Sequence, residues 1–420
     1  MKVLYRCLFL FVIVLSCVYG RNAEAQDRHW RRLLPLADND YVVKISRSDS
    51  VIAGTDLSDV AAGIFSKKKA RKVKSDTITS KPVFSYIPAI GYTLETKLAV
   101  TLTGNVAFRT DSLAHISTIT SNIGYSQNKQ FTFPIQSEIW TPDNSFSLVG
   151  DYRFYKYPQS TFGLGSNSNI KNEDPMDYIY FRFQEMVLKN ISGGLFAGVG
   201  YIIDYHKHIT QKGNLNGNLP DYTTYGPESH SVSSGFSLQV LFDNRENSIY
   251  PDKGFYASMQ YRDNIKTLGS TSNWSSVIID LRQYFKFPAS TDNVLAIWSY
   301  DWLTLSGKPP YLDLPATGWD PYASTGRGYI QGRFRGAQEV YAEAEYRFNI
   351  SHSGLFGGVV FGNAQSFSAA PGTQLQSVQP GYGLGVRIKL NKLSKTNVAI
   401  DYGFGRQGSG GLFINVGELF

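Results

Sequence analysis

Residues 341–348, with the sequence YAEAEYRF, decide the fold class of this chain. The stretch alternates between two kinds of side chain, which is the period of a β-strand. One face of the strand carries Glu343, Glu345 and Arg347, and the other carries alanine and aromatic residues. Three charges on one face do not fit the dry core of a β-sandwich. They are typical of the water-filled interior of a transmembrane β-barrel.

The same alternation fills the chain from residue 82 onward. Leu98, Val100 and Leu102 share one face of a segment, and Thr101 and Thr103 share the other. We count sixteen such segments, and an even number is typical of bacterial single-chain barrels. They begin near residues 83, 96, 114, 130, 146, 177, 194, 231, 254, 274, 293, 339, 354, 381, 396 and 410. The sequence therefore predicts an all-β fold, a sixteen-stranded antiparallel transmembrane β-barrel over residues 81–420.

The lengths of the connections between segments agree with a barrel. Long gaps at about 158–176, 209–230, 308–338 and 368–380 all follow odd-numbered segments, and most gaps after even-numbered segments are short. In a barrel with both termini in the periplasm, connections after odd segments are extracellular loops and the others are periplasmic turns. A β-sandwich has no reason to follow this parity. We therefore predict a location in the cell outer membrane, in contact with its lipid.

The first 25 residues predict export. Lys2 and Arg6 precede an apolar run that is too short to cross a bilayer comfortably, and Ala23-Glu24-Ala25 fits a signal-peptidase site. The stretch 14–17, VLSC, resembles a lipobox, which would instead place a lipid on Cys17. Both alternatives export the chain, and we predict a signal peptide over residues 1–25.

Residues 26–80 form a polar segment that we predict to be a periplasmic tail or linker. Its run at 67–74, KKKARKVK, carries six positive charges, while the net charge of the whole chain is +7. Because the charge is local, the sequence predicts no nucleic-acid surface. The run is either a solvated linker or a contact to anionic lipid headgroups.

The sequence offers few groups for catalysis. Cys7 and Cys17 are the two cysteines, which excludes a disulfide framework or a Cys-rich zinc site further along the chain. No G-x-S-x-G, H-E-x-x-H or P-loop motif occurs. His206 and His208 would share a strand face and could chelate a metal, but their place at a strand end indicates solvated histidines. We predict no enzyme activity, no cofactor and no metal.

Three motifs, in this order along the chain, resemble the bacterial surface antigen family, which includes the BamA and TamA insertases. The resemblance covers residues 82–420. The motifs are 242–247 (FDNREN) with 250–255 (YPDKGF), then 326–329 (GRGY) with 332–336 (GRFRG) and 343–348 (EAEYRF), then 381–385 (GYGLG) with 401–403 (DYG) and a last Phe420. The middle motif departs from the family at its first position, where Gly326 stands in place of valine.

The resemblance implies that the long loop plugs the lumen and that Arg327 pairs with acidic side chains of the inner wall. Alternation makes Glu343, Glu345 and Asp401 the candidate partners, since Asn363 stands where the family has an acid. A guanidinium fork can bind a carboxylate bidentately in a partly desolvated lumen, which supports this role. The alternative is an exposed, arginine-rich loop.

The remaining residues of the loop motif have supporting roles in this prediction. Gly328 would permit a turn with positive φ, and Tyr329 would pack the turn against the wall. Arg333 and Arg335 are expected to join the network around Arg327.

The family resemblance implies assembly or translocation of proteins at the outer membrane, through a weak seam between the first and last strands. Family insertases carry periplasmic POTRA domains, and the segment 26–80 is too short for one. We therefore expect a BamA/TamA-like barrel without POTRA domains, whose partners are client barrel proteins or a POTRA-bearing protein. Two alternatives stay open: a passive or gated pore, and a structural or lipid-handling barrel without insertase activity.

Overall fold

The structure, a computed structural model, describes residues 82–420 apart from 113, 214–220, 246, 248–249 and 392–394. The predicted signal peptide 1–25, the alternative lipid site at Cys17 and the tail 26–80 lie outside the described residues.

The described residues form one antiparallel sheet of seventeen strands that closes on itself, with β17 returning to β1. The strands are β1 (Val83–Thr93), β2 (Lys97–Arg109), β3 (Ile116–Ser126), β4 (Phe131–Trp140), β5 (Phe146–Lys156), β6 (Gln159–Thr161), β7 (Asp174–Ser192), β8 (Leu195–Gln211), β9 (His230–Asp243), β10 (Gly254–Asn264), β11 (Trp274–Lys286), β12 (Val294–Gly307), β13 (Gln338–Asn349), β14 (Phe356–Ser368), β15 (Gln379–Asn391), β16 (Thr396–Phe404) and β17 (Gly410–Val416). Sixteen of them are long and form the wall, and the three-residue β6 pairs with β7.

The predicted all-β fold and the sixteen-strand count are confirmed. Each long strand begins close to its predicted start, and the sixth differs most, beginning at Asp174 instead of 177. Sequence reasoning missed β6, because three residues are too few to display a period of two.

The wall carries apolar side chains outward and polar or charged ones inward. Outward residues such as Leu102 and Leu384 are exposed, whereas the inward row of β13, which includes Glu343, Glu345 and Arg347, is buried. A soluble β-sandwich would show the opposite arrangement. This alternation is the one that lipid outside and a polar lumen inside require.

The connections separate the two ends of the barrel. One end, the long-loop end, carries 157–173, 212–229, 308–337 and 369–378, and the other end, the short-turn end, carries connections such as 193–194 and 141–145. This is the predicted parity. A short helix, α1 (Asp221–Tyr225), lies in the second long connection. Among the described residues, no helix is long and apolar enough to cross a membrane.

Strands β7 and β8 are the longest pair, with 19 and 17 residues, and they extend past their neighbours at the long-loop end. The register of this pair shifts there, so that β8 gains one residue at His208, whose φ is 55°. The extra residue reverses the alternation. His206 is therefore buried in the lumen while His208 is exposed, and the expectation of two solvated histidines on one face was wrong.

Candidate functional site

The connection 308–337, here called the plug loop, lies inside the barrel. Many of its side chains are buried, including Tyr311, Leu314, Asp320, Arg327, Tyr329 and Phe334. Its backbone also joins the long loop 157–173, because the amide of Gly165 donates to the carbonyl of Arg335 at 2.7 Å. The plug loop is therefore held by both the inner wall and its neighbouring loop.

Arg327 of the plug loop contacts all three predicted carboxylates. Its Nη1 donates to Asp401 at 2.8 Å, and its Nη2 donates to both Glu343 and Glu345. All four side chains are almost completely buried. The guanidinium also lies over the ring of Phe361, with 3.6 Å between its Cζ and the ring centroid. The structure thus brings the sequence-predicted residues into one buried ion cluster between β13 and β16.

Further charges extend this cluster toward the short-turn end. Arg347 Nε donates to Glu345 at 2.7 Å, and Arg387 Nε donates to Glu418 at 2.8 Å. Arg387 also donates to Asp401. We call Arg327, Arg347, Arg387, Glu343, Glu345, Asp401 and Glu418 the Arg327 cluster. Cations and anions alternate in it, so the charges are paired in a place that water reaches poorly.

A close backbone approach allows Arg327 to reach the wall. Gly328 has a φ of 102°, and a Cβ there would lie 2.7 Å from the carbonyl oxygen of Phe404. Gly403 of β16 faces it, since a Cβ on Gly403 would lie 2.6 Å from the amide nitrogen of Gly328. Tyr329 then donates its hydroxyl to the carbonyl of Pro380 at 2.6 Å. Glycine on both sides lets the loop backbone rest directly on the wall.

Asn363, which stands where the family has an acid, also takes part in holding the plug loop. Its Nδ2 donates to the backbone carbonyl of Arg327 at 3.0 Å. An amide can make this bond and a carboxylate cannot, because a carboxylate has no donor. Asn363 therefore holds the backbone of the plug loop at Arg327.

Arg333 and Arg335 lie outside the Arg327 cluster, so the expectation that they join it was wrong. Arg333 donates to the carbonyl of Ser168 and the side chain of Gln407, both at 2.8 Å. Arg335 donates to carbonyls of its own loop, among them that of Tyr311 at 3.1 Å. Arg333 thus connects the plug loop to other loops, Arg335 braces the plug loop internally, and neither meets a carboxylate in these contacts.

A second ion cluster, which sequence reasoning missed, lies on the opposite wall. Asp204 of β8 accepts from the Tyr180 hydroxyl at 2.6 Å, from Arg182 Nε at 2.7 Å and from Arg262. His206 stacks on Tyr180, with 4.6 Å between ring centroids. We call Asp204, Arg182, Arg262 and His206 the Asp204 cluster. The sequence shows these charges on three separate strands. Whether the side chains contact one another depends on the register between the strands, which the sequence does not show.

The plug loop reaches this second cluster through Asp313. The Ser233 hydroxyl donates to Asp313 at 2.6 Å, and His206 Nδ1 lies 3.6 Å from the other carboxylate oxygen. A cavity of about 20 Å³ opens beside Asp313, which is room for one water molecule. Burial, and after it the nearby charge of Asp204, raises the pKa of the Asp313 carboxyl to about 7. The plug loop is thus anchored by a cation on one wall and by an acid on the other.

The last residues of the chain also lie in the lumen. After β17 the chain turns inward at Gly417, whose φ is 99°. Arg347 donates to the carbonyl of Phe420 at 2.9 Å. The Phe420 ring stacks on Trp298, with centroids 5.0 Å apart, and Leu419 and Phe420 are both buried. These residues cover the inner wall near the short-turn end.

The contact between β1 and β17, here called the seam, is short. In the described part of the chain the two strands pair at one position, Tyr92 with Ile414. By comparison, β17 pairs with β16 over seven positions and β1 pairs with β2 over eleven. In the described residues, most of the β1 edge is therefore not paired with another strand.

The described ranges contain no group of three His, Cys, Asp or Glu side chains placed as metal ligands would be. The site is a set of ion pairs, aromatic contacts and an open strand edge. Such an arrangement can hold or release a loop and can pair with an extended chain.

The sequence matches no protein-family model and no curated protein. Solved structures do resemble the fold. BamA from Haemophilus ducreyi lacking POTRA domains 1-3 superposes with a TM-score of 0.52 at 12% identity, over 80% of this chain and 69% of that one. CdiB from Acinetobacter baumannii gives 0.52 at 12% identity, and CdiB from Escherichia coli gives 0.51 at 10% identity, each over 80% of this chain.

The chain spans 60% and 62% of the length of the two CdiB chains. At such identities the likeness concerns the fold alone, and it agrees with the family that the sequence motifs resemble. From the closed wall, the plug loop in the lumen and these superpositions, we conclude that the chain folds as a BamA-like β-barrel of the outer-membrane type.

Proposed function

We propose that the protein resides in the cell outer membrane and assists the assembly or translocation of other proteins there, through the seam between β1 and β17. The observation that carries the proposal is the single paired position of the seam, Tyr92 with Ile414. The partners of this function are client barrel proteins or a POTRA-bearing protein that delivers them. The proposal assigns the protein no catalytic step.

An unpaired strand edge in lipid favours pairing with another strand. The hydrocarbon region offers no water to the backbone groups of β1, so those groups gain free energy when another strand pairs with them. Addition of an extended chain to a free edge is a known mode of recognition, in which main-chain hydrogen bonds supply the affinity. A barrel whose seam is one position long can therefore receive a client strand without first breaking a long ladder.

The plug loop complements this function by filling the centre of the lumen. Arg327 and Asp313 hold it to two walls, so that a seam opening does not also open a path for ions through the centre. The many paired charges of the Arg327 cluster support a loop that stays in place while the seam changes.

Locking the seam tests the proposal. We expect the double variant Tyr92→Cys and Ile414→Cys, once oxidised, to lose its ability to support outer-membrane protein assembly in cells depleted of the native protein. A census of outer-membrane proteins measures the outcome, and a reductant should restore it. The matched control is Leu102→Cys with Ile123→Cys, which joins the outward pair of β2 and β3. Full activity of the locked seam would overturn the proposal.

A gated pore is the second candidate, and one observation favours it. The inward residues Thr101, Thr103 and Asn105 of β2 are only half-buried, so the lumen beside this wall is not filled by the plug loop. Conductance in planar bilayers separates the two functions. A steady current that survives deletion of 308–337 and is unchanged by the locked seam would favour the pore. If the locked seam leaves the census of outer-membrane proteins unchanged and no steady current is measured, the remaining candidate is a structural or lipid-handling barrel.

A further inference from the structure

The hydrogen-bonding direction of β1 can be read from its neighbours. The amide of Gln127 donates to the carbonyl of Leu98 at 2.7 Å, so the backbone groups of Leu98 face β3. Leu98 is the partner of Tyr92 across β1 and β2. In an antiparallel pair, two opposite residues either bond to each other through both backbone groups or both point away from each other. Since Leu98 points away from β1, Tyr92 points away from β2, and its backbone groups face the seam.

Every second residue of a strand faces the same side, so Ile90, Pro88 and Tyr86 also present their backbone groups to the seam. Pro88 therefore stands on the open edge. It lacks an N–H group, and it leaves this edge without a donor at that position. An edge is the place where a β-strand tolerates proline, because no partner strand requires the missing donor.

The register of the seam shows what would lie opposite Pro88. Tyr92 pairs with Ile414, so an extended β17 would next place Val416 opposite Ile90 and then Glu418 opposite Pro88. The even-numbered residues of β17 do face β1, since the amide of Gly417 donates to Asn397 of β16 at 2.7 Å. The chain instead leaves the wall at Gly417, one residue before the position that Pro88 cannot complete.

We propose that Pro88 makes strand addition at the β1 edge reversible. It interrupts any ladder that grows from Tyr92 toward the short-turn end, because the carbonyl opposite Pro88 would stay unpaired where lipid offers no substitute. This applies to the protein's own β17. On the basis of the proposed function, it applies equally to an incoming client strand, which could pair with Tyr92 and Ile90 and then dissociate.

The outward side chains of the edge define the kind of strand that fits. Phe84, Tyr86 and Ile90 are exposed on the lipid face. A strand that continues this surface carries apolar residues outward at alternate positions, as barrel strands do. The β1 edge thus fits an amphipathic barrel strand, held over a short ladder.

The experiment extends the ladder by restoring the donor. In the full chain we introduce Ile90→Cys with Val416→Cys and measure disulfide formation, with and without Pro88→Ala. We expect Pro88→Ala to raise the yield at equilibrium roughly tenfold, the change that about one net hydrogen bond produces. Slower hydrogen exchange of the Ile90 amide should accompany it. Pro88→Thr serves as a second variant with a high preference for strands.

Pro134→Ala is the matched control, because Pro134 lies in β4 and is paired with Arg153 of β5. It should leave the disulfide yield at the seam unchanged. An unchanged yield and unchanged exchange in both Pro88 variants would overturn the inference. Since the seam is measured without any client, a failure of the proposed assembly function would leave this result standing.

Discussion

Arg327 donates hydrogen bonds to three buried carboxylates at once, and its removal should have a large effect. In Arg327→Ala, Glu345 keeps Arg347 as a partner and Asp401 keeps Arg387. Glu343 keeps the hydrogen bond that it accepts from the Tyr341 hydroxyl, which carries no positive charge. Breaking a buried ion pair typically costs about 3–5 kcal/mol. We expect a loss of this order in the free energy of unfolding, together with a moderate increase in the rate of proteolysis of 308–337.

The double variant Arg327→Ala with Glu343→Gln supplies the control for that prediction. It removes the carboxylate that the single variant leaves without a cation, so it should recover part of the lost stability. An additive loss in the double variant would mean that the two side chains are not coupled in the folded protein.

Asp313 should make the plug loop sensitive to pH. Burial, followed by the charge of Asp204, raises the pKa of this carboxyl from 3.8 to about 7. The folded protein therefore keeps a proton that the unfolded chain loses, and the stability contributed by this group falls as pH rises from about 4 to about 7. Arg182, Arg262 and His206 surround the group and complete its charged environment.

Asp313→Asn cannot titrate at this position, so it tests the effect directly. Relative to this variant, the native protein should lose stability as the pH rises from about 4 to about 7, as measured by the midpoint of denaturant unfolding. Midpoint curves that run parallel across this range would show that Asp313 is already ionised at low pH.

Arg327 and its three carboxylate partners could be predicted. Arg387 and Glu418 of the same cluster, and the whole Asp204 cluster, could not. Alternation alone placed Glu343, Glu345 and Asp401 on the inner face, and the loop motif supplied Arg327. The role of Asp313 depends on how the plug loop crosses the lumen, and no periodic pattern encodes that path. Arg333 and Arg335 failed as predictions because a charge in a loop has no face to assign.

At the level of strands, the two faces of the wall should respond differently to charge. Leu102 points outward to lipid and Thr103 points into the half-filled lumen. An outward arginine near the bilayer midplane costs about 2–4 kcal/mol, and an inward one is solvated. Leu102→Arg should therefore reduce the amount of folded, heat-modifiable barrel in the membrane, and Thr103→Arg should leave it unchanged.

The same pair of variants checks the register of β2. A shift of one residue would exchange the two outcomes, because the strand period is two. Equal tolerance of both arginines would contradict a lipid-facing wall altogether.

The strands were predictable because each is long enough to show its period several times. The irregularities were not. The extra residue at His208 reverses the alternation for the end of β8, and a sequence pattern contains no mark of such a shift. The parity of the loops was a stronger guide, since it depends on the count of strands and tolerates errors at their ends.

For the molecule as a whole, the two anchors of the plug loop should act together. Arg327 holds it to β13 and β16, and Asp313 holds it to β8 and β9. When one anchor is removed, the other still holds the loop inside the lumen. We therefore expect Asp313→Ala to leave the loop largely protected from protease, and Asp313→Ala with Arg327→Ala to release it by more than the sum of the single effects.

Current through planar bilayers provides an independent measurement of that release. The double variant should conduct steadily, while Asp313→Ala should resemble the native protein. If Asp313→Ala alone conducts as well as the double variant, the contact on β8 and β9 is the main barrier and the Arg327 cluster is secondary.

The unequal height of the wall has a consequence for how this barrel meets its surroundings. Residues 174–178 of β7 and 208–211 of β8 continue beyond the strands β5 and β9, and the short β6 pairs with this extension of β7. At about 3.3 Å per residue, the hairpin projects roughly 15 Å further than they do. With the long-loop end predicted to face the exterior, this ribbon would be a rigid epitope above the headgroups. An antibody against its folded form would label intact cells.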